Sequence, residues 1–219
     1  MRSNAIRLRR SCMPFPEAEM QNFDESVYRA PTAEIYGRVQ IGAGSSVWPN
    51  AVIRSEAQEV IIGRYTNIQD FVMIHVGYDA PTRVGDFCSI THHVTLHGCT
   101  VGDQCMIGIN ATVMDGAVIG AGSIVAGGAF ITEGSEFPEN SIIAGIPARR
   151  IKERDNGKAN RINAWLYHRN AQAYQAGDHR AWTGPEYERW LTQLREEVAE
   201  DLDLKRLETP SMRSGPSTR

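Results

Sequence analysis

From Ile41 onward the chain places an aliphatic residue at every sixth position. The first series is Ile41, Val47 and Ile53. The phase restarts at Ile62 (then Ile68 and Ile74), at Val84 (then Ile90 and Leu96) and at Val101 (then Ile107, Val113, Ile119, Val125 and Ile131). The residue four places further on is usually small, as at Ser45, Ala51, Thr66, Cys88, Cys105, Ala111, Ala117 and Ser123. Glycine often follows the aliphatic residue directly, as at Gly42, Gly63, Gly85, Gly102, Gly108 and Gly120. A period of six matches neither the 3.6-residue helix nor the alternating strand. It suits a parallel β-helix, in which each hexad supplies one short strand and one corner. The aliphatic side chain then points inward and stacks on its equivalent in the next coil, and the small residue is expected to fit the corner.

The pattern aliphatic-Gly-x-x-small-x over residues 41–136 resembles the hexapeptide-repeat family. That resemblance implies a mainly β fold, a left-handed parallel β-helix of triangular section with three hexads per coil. On this map Ile41, Ile62, Val84, Val101 and Ile119 open strands on face one. Val47, Ile68, Ile90, Ile107 and Val125 open face two, and Ile53, Ile74, Leu96, Val113 and Ile131 open face three. Short insertions at 59–61 and 80–83 are expected to bulge out as loops.

Four of the six histidines lie between residues 75 and 97. His75 and His97 each follow the inward residue of face three, on successive coils. Parallel strands lie about 4.8 Å apart, which suits two imidazoles sharing one cation with Zn–N bonds of about 2.0–2.1 Å. His92 lies on face two. It cannot easily reach the other two within one chain but could do so from a neighbouring one, if face two of one subunit packs on face three of the next; a closed ring of such contacts is a homotrimer. Arg54 holds the His75 position one coil earlier, and Asp70 holds the His92 position one coil earlier, so the same packing sets this carboxylate opposite this guanidinium. A lone histidine is ordinarily just a hydrogen-bonded surface or core residue, and His93 is expected to be one, exposed on the prism. Packing accounts for Cys88 and Cys105, and Cys99 lies two residues past His97 without a catalytic role.

The segments VIRSE (52–56), TNIQD (66–70), IH (74–75), THHVTLHGC (91–99) and AGIPARRIKE (144–153) resemble the γ-class carbonic anhydrase family. The resemblance implies His75 and His97 as metal ligands from one subunit and His92 as the ligand given across the interface. It implies Arg54 and Asp70 as the intersubunit salt bridge, Gln69 as the partner of metal-bound water, and Glu56 where the family usually has Asp. The implied cofactor is zinc (Zn2+), with Fe2+ or Co2+ also suited to imidazole. The implied reaction is attack of metal-bound hydroxide on CO2, a lyase reaction giving bicarbonate. The acidic loop that supplies a proton shuttle in the most active members is missing, with Tyr78 and Asp79 the nearest groups, so slow hydration is expected. Three other functions suit the sequence. The same hydroxide would hydrolyse a thioester, amide or other carbonyl compound; a coenzyme A-dependent acyltransferase would use a histidine as base without metal; or the chain is a non-catalytic assembly protein.

Composition adds limits. The 219 residues carry a net charge of -3, which gives no reason to expect nucleic acid or a membrane surface as partner; the expected partners are copies of the chain and a small-molecule substrate. No apolar run approaches the ~20 residues of a membrane span. Four cysteines without a CxxC pair, and no secretory signal, suggest reduced thiols in a cytoplasmic protein. The expected organisation is an N-terminal arm (1–30, opening with four arginines and no acid in its first sixteen residues), a metal-binding β-helix (31–148), a helical segment (149–207) and a disordered tail (208–219). Helices are expected at 158–176 and at 184–204, the second with Pro185 in its first turn and an apolar stripe of Trp190, Leu191, Leu194, Val198 and Leu202.

Overall fold

A computed structural model describes residues 21–180 and 182–200. The expectations for the arginine-rich first twenty residues, for Leu202 and for the 208–219 tail lie outside the described residues.

Parallel strand pairing reproduces the three faces residue for residue. Ile41, Ile62, Val84, Val101 and Ile119 are successive partners on face one. Val47, Ile68, Ile90, Ile107 and Val125 follow one another on face two, and Ile53, Ile74, Leu96, Val113 and Ile131 on face three. None of these fifteen side chains is more than 3% exposed, so the core is three aliphatic columns running down the axis of a parallel solenoid of about seven coils. The first coil begins at Gln21, inside the segment expected as an arm: Phe23 pairs with Ile41, Arg29 with Val47 and Ile35 with Ile53. At the far end, Ala148–Glu153 folds back antiparallel on Ser141–Gly145 and covers the last rung of face two.

Two local expectations change. Residues 59–61 form no loop. Val52–Ile62 is one unbroken strand that turns the corner from face three to face one beside Glu34–Ile41. Ser55 pins that corner, its hydroxyl lying 2.9 Å from the carbonyl of Arg38 and 2.5 Å from that of Gln58. The second insertion does project, but as residues 77–81, and Thr82 and Arg83 already belong to the next strand. The corner itself also falls one residue earlier than expected. The left-handed backbone is at the residue before the small one, as at Tyr65 (φ 51°), Phe87 (φ 55°) and Gln104 (φ 57°).

The small residue is instead a buried link between coils. The Ser45 hydroxyl donates to the Gly63 carbonyl (2.7 Å) and accepts the Thr66 N–H (2.9 Å). Thr66 repeats this with Gly85 and Cys88, and the Cys88 and Cys105 thiols donate to Gly102 and Gly120. These thiols stand in for hydroxyls in a structural ladder, and burial raises Cys88 well above the ordinary thiol range. The glycine after the aliphatic residue has its own cause. A Cβ on Gly85 would sit 2.2 Å from an Asp103 carboxylate oxygen, which accepts the Asp86 N–H at 2.8 Å.

Helix α1 (Gly157–Gln175) lies along the prism. Trp165 packs on Tyr65, whose ring stacks on Phe87. Asn160, Asn163 and His168 tie the helix to the Gln104 carbonyl, the Ser89 hydroxyl and the Gly44 carbonyl at 2.7–2.8 Å. A second helix, α2 (Pro185–Glu200), follows. Among the described residues no helix is long and apolar enough to cross a membrane.

Candidate functional site

The ladder on face three sets His75 directly beside His97, as Cα partners in parallel strands. Their ring centroids are 4.9 Å apart and the planes are inclined by 59°. This tilt brings His75 Nδ1 to 3.0 Å from His97 Nε2. The outer nitrogens face carboxylates: His75 Nε2 lies 2.8 Å from Glu56 Oε2, and His97 Nδ1 contacts Asp115 Oδ1. Arg54 Nη1 holds the other oxygen of Glu56 at 2.5 Å. Partial burial pulls the Glu56 carboxyl upward, but the His75 hydrogen bond and the Arg54 charge outweigh it and leave this acid below its usual range.

Counting protons shows what this row of groups lacks. It contains three contacts and two imidazoles, and a neutral imidazole carries one N–H. If both outer nitrogens hold the protons, each carboxylate receives a hydrogen bond and two lone pairs face each other at the centre. If one proton moves to the centre, a bare nitrogen faces a carboxylate. Only an added cation satisfies every contact, either a third proton or a metal ion. Two nitrogens on a tetrahedral zinc stand about 3.3 Å apart, so the facing pair need part only slightly to share one. Carboxylates behind metal-binding histidines are the usual outer support of such sites. The residues present therefore fit a divalent metal.

The other expected members lie on the neighbouring corner. His92 Nδ1 pairs with Asp70 Oδ2 at 3.1 Å, so within one chain Asp70 bonds His92 and Arg54 bonds Glu56. His92 does not join the His75–His97 pair in the same chain, and no cluster of three or more His, Cys, Asp or Glu suited to a metal occurs among the described residues. Gln69 is buried, and its amide N–H donates to Asn67 Oδ1 at 2.9 Å. Asn67 in turn donates to the Ser89 hydroxyl and the Cys88 carbonyl. That chain fixes the Gln69 amide, and its oxygen accepts from no group among the described residues. His93, in the left-handed corner at φ 60°, stacks flat on Phe71 and is exposed. Cys99 is buried, which pushes its thiol up to about 12 and leaves it no role as a nucleophile. Tyr78, at the tip of the 77–81 loop, is 86% exposed. A cleft of about 330 Å³ opens beside His92 and Asp70, walled by Trp48, Tyr167, Tyr174 and Trp182.

Asp115 is the site residue that the sequence reading missed. Its signal was the triplet Met-Asp-Gly at 114–116, one coil after His97 and two residues past the inward Val113.

Comparison with known proteins places these features in context. The family described as "Bacterial transferase hexapeptide (six repeats)" matches residues 98–133. A protein of Methanocaldococcus jannaschii named "Probable carbonic anhydrase" is 53% identical over 129 residues, 59% of this chain and 81% of that protein. "Gamma carbonic anhydrase 1, mitochondrial" of Arabidopsis thaliana is 35% identical over 176 residues, 77% of this chain and 64% of that protein; the match thus spans less than two thirds of the plant protein. Among solved structures, a hexapeptide transferase family protein from Anaplasma phagocytophilum aligns with a TM-score of 0.67 at 31% identity, covering 70% of this chain and 92% of that one.

Proposed function

The chain belongs to the γ-carbonic-anhydrase-like family of hexapeptide-repeat proteins, and from that premise we propose that it is a metal-dependent lyase that hydrates carbon dioxide in the cytoplasm, at sites shared between the subunits of a left-handed, trimeric β-helix. The observation that carries this reading is the His75–His97 pair, in register on successive coils with two ring nitrogens facing each other and a carboxylate behind each ring.

His75 and His97 of one chain and His92 of a second copy would hold the ion, zinc first, with Fe2+ or Co2+ as substitutes. When bound, such an ion supplies Lewis acidity that brings ionisation of water down to about pH 7. The remaining work falls to the chain. Glu56 accepts a hydrogen bond from the outer N–H of His75 and so keeps the inner lone pair of that ring free. Gln69, its N–H engaged by Asn67, offers an amide oxygen that orients a water O–H. Arg54 of one subunit pairs with Asp70 of the next, giving up part of its contact with Glu56. The Glu56 oxygen released from Arg54, on a side chain more than half exposed, takes the proton lost by water toward solvent, while the other oxygen keeps the His75 hydrogen bond. A single exposed carboxylate is a modest exit route, and turnover limited by proton export follows.

The test is zinc stoichiometry together with CO2 hydration, the latter followed by stopped-flow with a pH indicator, for the wild type and His92→Ala. The substitution is expected to empty every site and abolish hydration while the oligomer persists. Full zinc retention by His92→Ala would refute the shared site.

A second reading keeps the metal site and enlarges the substrate. The aromatic cleft beside His92 far exceeds the needs of CO2 and suits a thioester or amide with an apolar body. Assaying CO2 hydration against a panel of acyl thioesters and amides separates the two. Acyl transfer, one form of the transferase chemistry for which the Anaplasma relative is named, is tested in the same panel by adding amine acceptors to coenzyme A thioesters without metal.

A further inference from the structure

We propose that Asp115 is a positioning residue of this centre: it holds the His97 proton on Nδ1, so that the Nε2 lone pair is presented toward His75 and the metal. The proposal rests on the metal-dependent reading above.

Three observations carry it. First, the Asp115 carboxylate has one hydrogen-bonding partner among the described residues, His97 Nδ1, so its placement serves no other polar group. Second, the backbone makes room for it. A Cβ on Gly98 would stand 2.3 Å from Asp115 Oδ1, and one on Gly77 would stand 3.1 Å from its carboxylate carbon. Glycine at both positions lets the carboxylate of the next coil lie beneath the histidine strand. Third, the corner itself does not require an acid. The positions two residues past the inward aliphatic on the two preceding coils are Val76 and Gly98, and the acid at that position on the following coil, Glu133, is exposed. The carboxylate is therefore explained by what it touches.

The chemistry follows from the tautomer. A neutral imidazole offers a lone pair at one nitrogen only, and a hydrogen-bond acceptor behind the ring decides which. Without Asp115 the His97 proton is free to move to Nε2, where it faces the His75 ring and blocks the metal position. The residue acts through His97 and not on substrate, because its oxygen meets the ring on the side away from His75.

The experiment has two readouts. Zinc affinity is measured by chelator competition for the wild type, Asp115→Ala, Asp115→Asn and, as a control carboxylate outside the site, Asp103→Asn. The alanine variant is expected to bind zinc about 10–100-fold more weakly. The asparagine variant, whose side-chain oxygen still accepts the Nδ1 proton, is expected to recover part of that loss, and Asp103→Asn to match the wild type. Long-range 15N–1H spectra of the histidines then report the tautomer in metal-free and zinc-loaded protein. The His97 proton is expected on Nδ1 in the wild type and on Nε2, or distributed, in Asp115→Ala. If the alanine variant fails to fold, the wild-type tautomer and the near-isosteric asparagine variant decide the matter. Wild-type protein that takes up no zinc, Fe2+ or Co2+ overturns the metal reading. Wild-type protein that binds zinc, with Asp115→Ala and Asp115→Asn binding equally well and the His97 proton on Nε2, overturns the role of Asp115 alone.

Discussion

Two alanine substitutions on one corner of the prism separate backbone strain from loss of the Asp115 contact. Gly98 and Gly134 occupy the same corner two coils apart, with φ of 55° and 63°. A Cβ at Gly134 meets nothing within 4 Å, whereas one at Gly98 would lie 2.3 Å from Asp115 Oδ1 and 3.0 Å from the Ala80 Cβ. Left-handed backbone costs an L-residue roughly 1–2 kcal/mol, partly offset by the lower chain entropy of alanine in the unfolded state, about 0.4–1 kcal/mol. Gly134→Ala is therefore expected to cost about 1 kcal/mol. Gly98→Ala carries that cost and also expels the carboxylate from His97. A hydrogen bond to a charged group is worth about 1.5–3 kcal/mol, and the pair is about a third exposed, so solvent screening favours a value near or below the lower end. The gap between the variants is then about 1–2 kcal/mol, or roughly 5 °C in melting temperature for a chain of this size. Zinc affinity should fall about 10–100-fold in Gly98→Ala and stay at the wild-type value in Gly134→Ala. Equal melting temperatures and equal zinc affinities for the two variants would refute both the packing argument and the coupling of Gly98 to the metal centre.

Two further outcomes test the fold. Leu96 is fully buried between Ile74 and Val113 on the face-three column, so Leu96→Ala should lose about 2–5 kcal/mol; a loss below about 1 kcal/mol in denaturant titration would contradict the stacked core. Burial raises the Asp103 carboxyl above its usual 3.8, against the pull of the Asp86 N–H. A raised folded value means that this acid's contribution to stability is present below the unfolded value and is lost as pH rises through the folded one. Asp103→Asn should therefore gain on the wild type as pH climbs from about 3.5 toward neutrality, read as the difference in unfolding midpoint; a difference that is flat or shrinks with pH would refute the assignment.

The core was legible because a solenoid repeats one demand. Every hexad must send one branched side chain inward, so the Ile, Val and Leu spacing reports strand, face and register together. Legibility failed where a position answered to something outside its own hexad. Phe23, Arg29 and Ile35 keep the spacing of six, but among the described residues no further coil pairs with the outer side of this one. Arg29 can stand at the inward-equivalent place there, exposed and bonded to the Ala33 carbonyl, and it disguises the coil. Residues 59–61 look like a loop locally; the strand beside them, Glu34–Ile41, turns them into an extended corner. The small residue was credited with the turn because it always follows it. The ladder of Ser45, Thr66, Cys88 and Cys105 emerges only when the coils are stacked.

The site obeys the same logic. Backbone pairing alone spaces equivalent groups by about 4.8 Å, too far apart for donors that must approach about 3.3 Å on one ion. The two rings close that distance by tilting, and what holds the tilt comes from the coils on either side: Glu56, steadied by Arg54, from the coil before, and Asp115 from the coil after. Four consecutive coils thus contribute one element each to a single row of hydrogen bonds. Any one of them is an ordinary polar residue on a prism surface, and His75 and His97 draw the eye only because histidine is rare. The two acids are common residues whose meaning depends on coil register, so the support of a site built this way is harder to read from sequence than its ligands. It is also where the geometry of the ligands is decided.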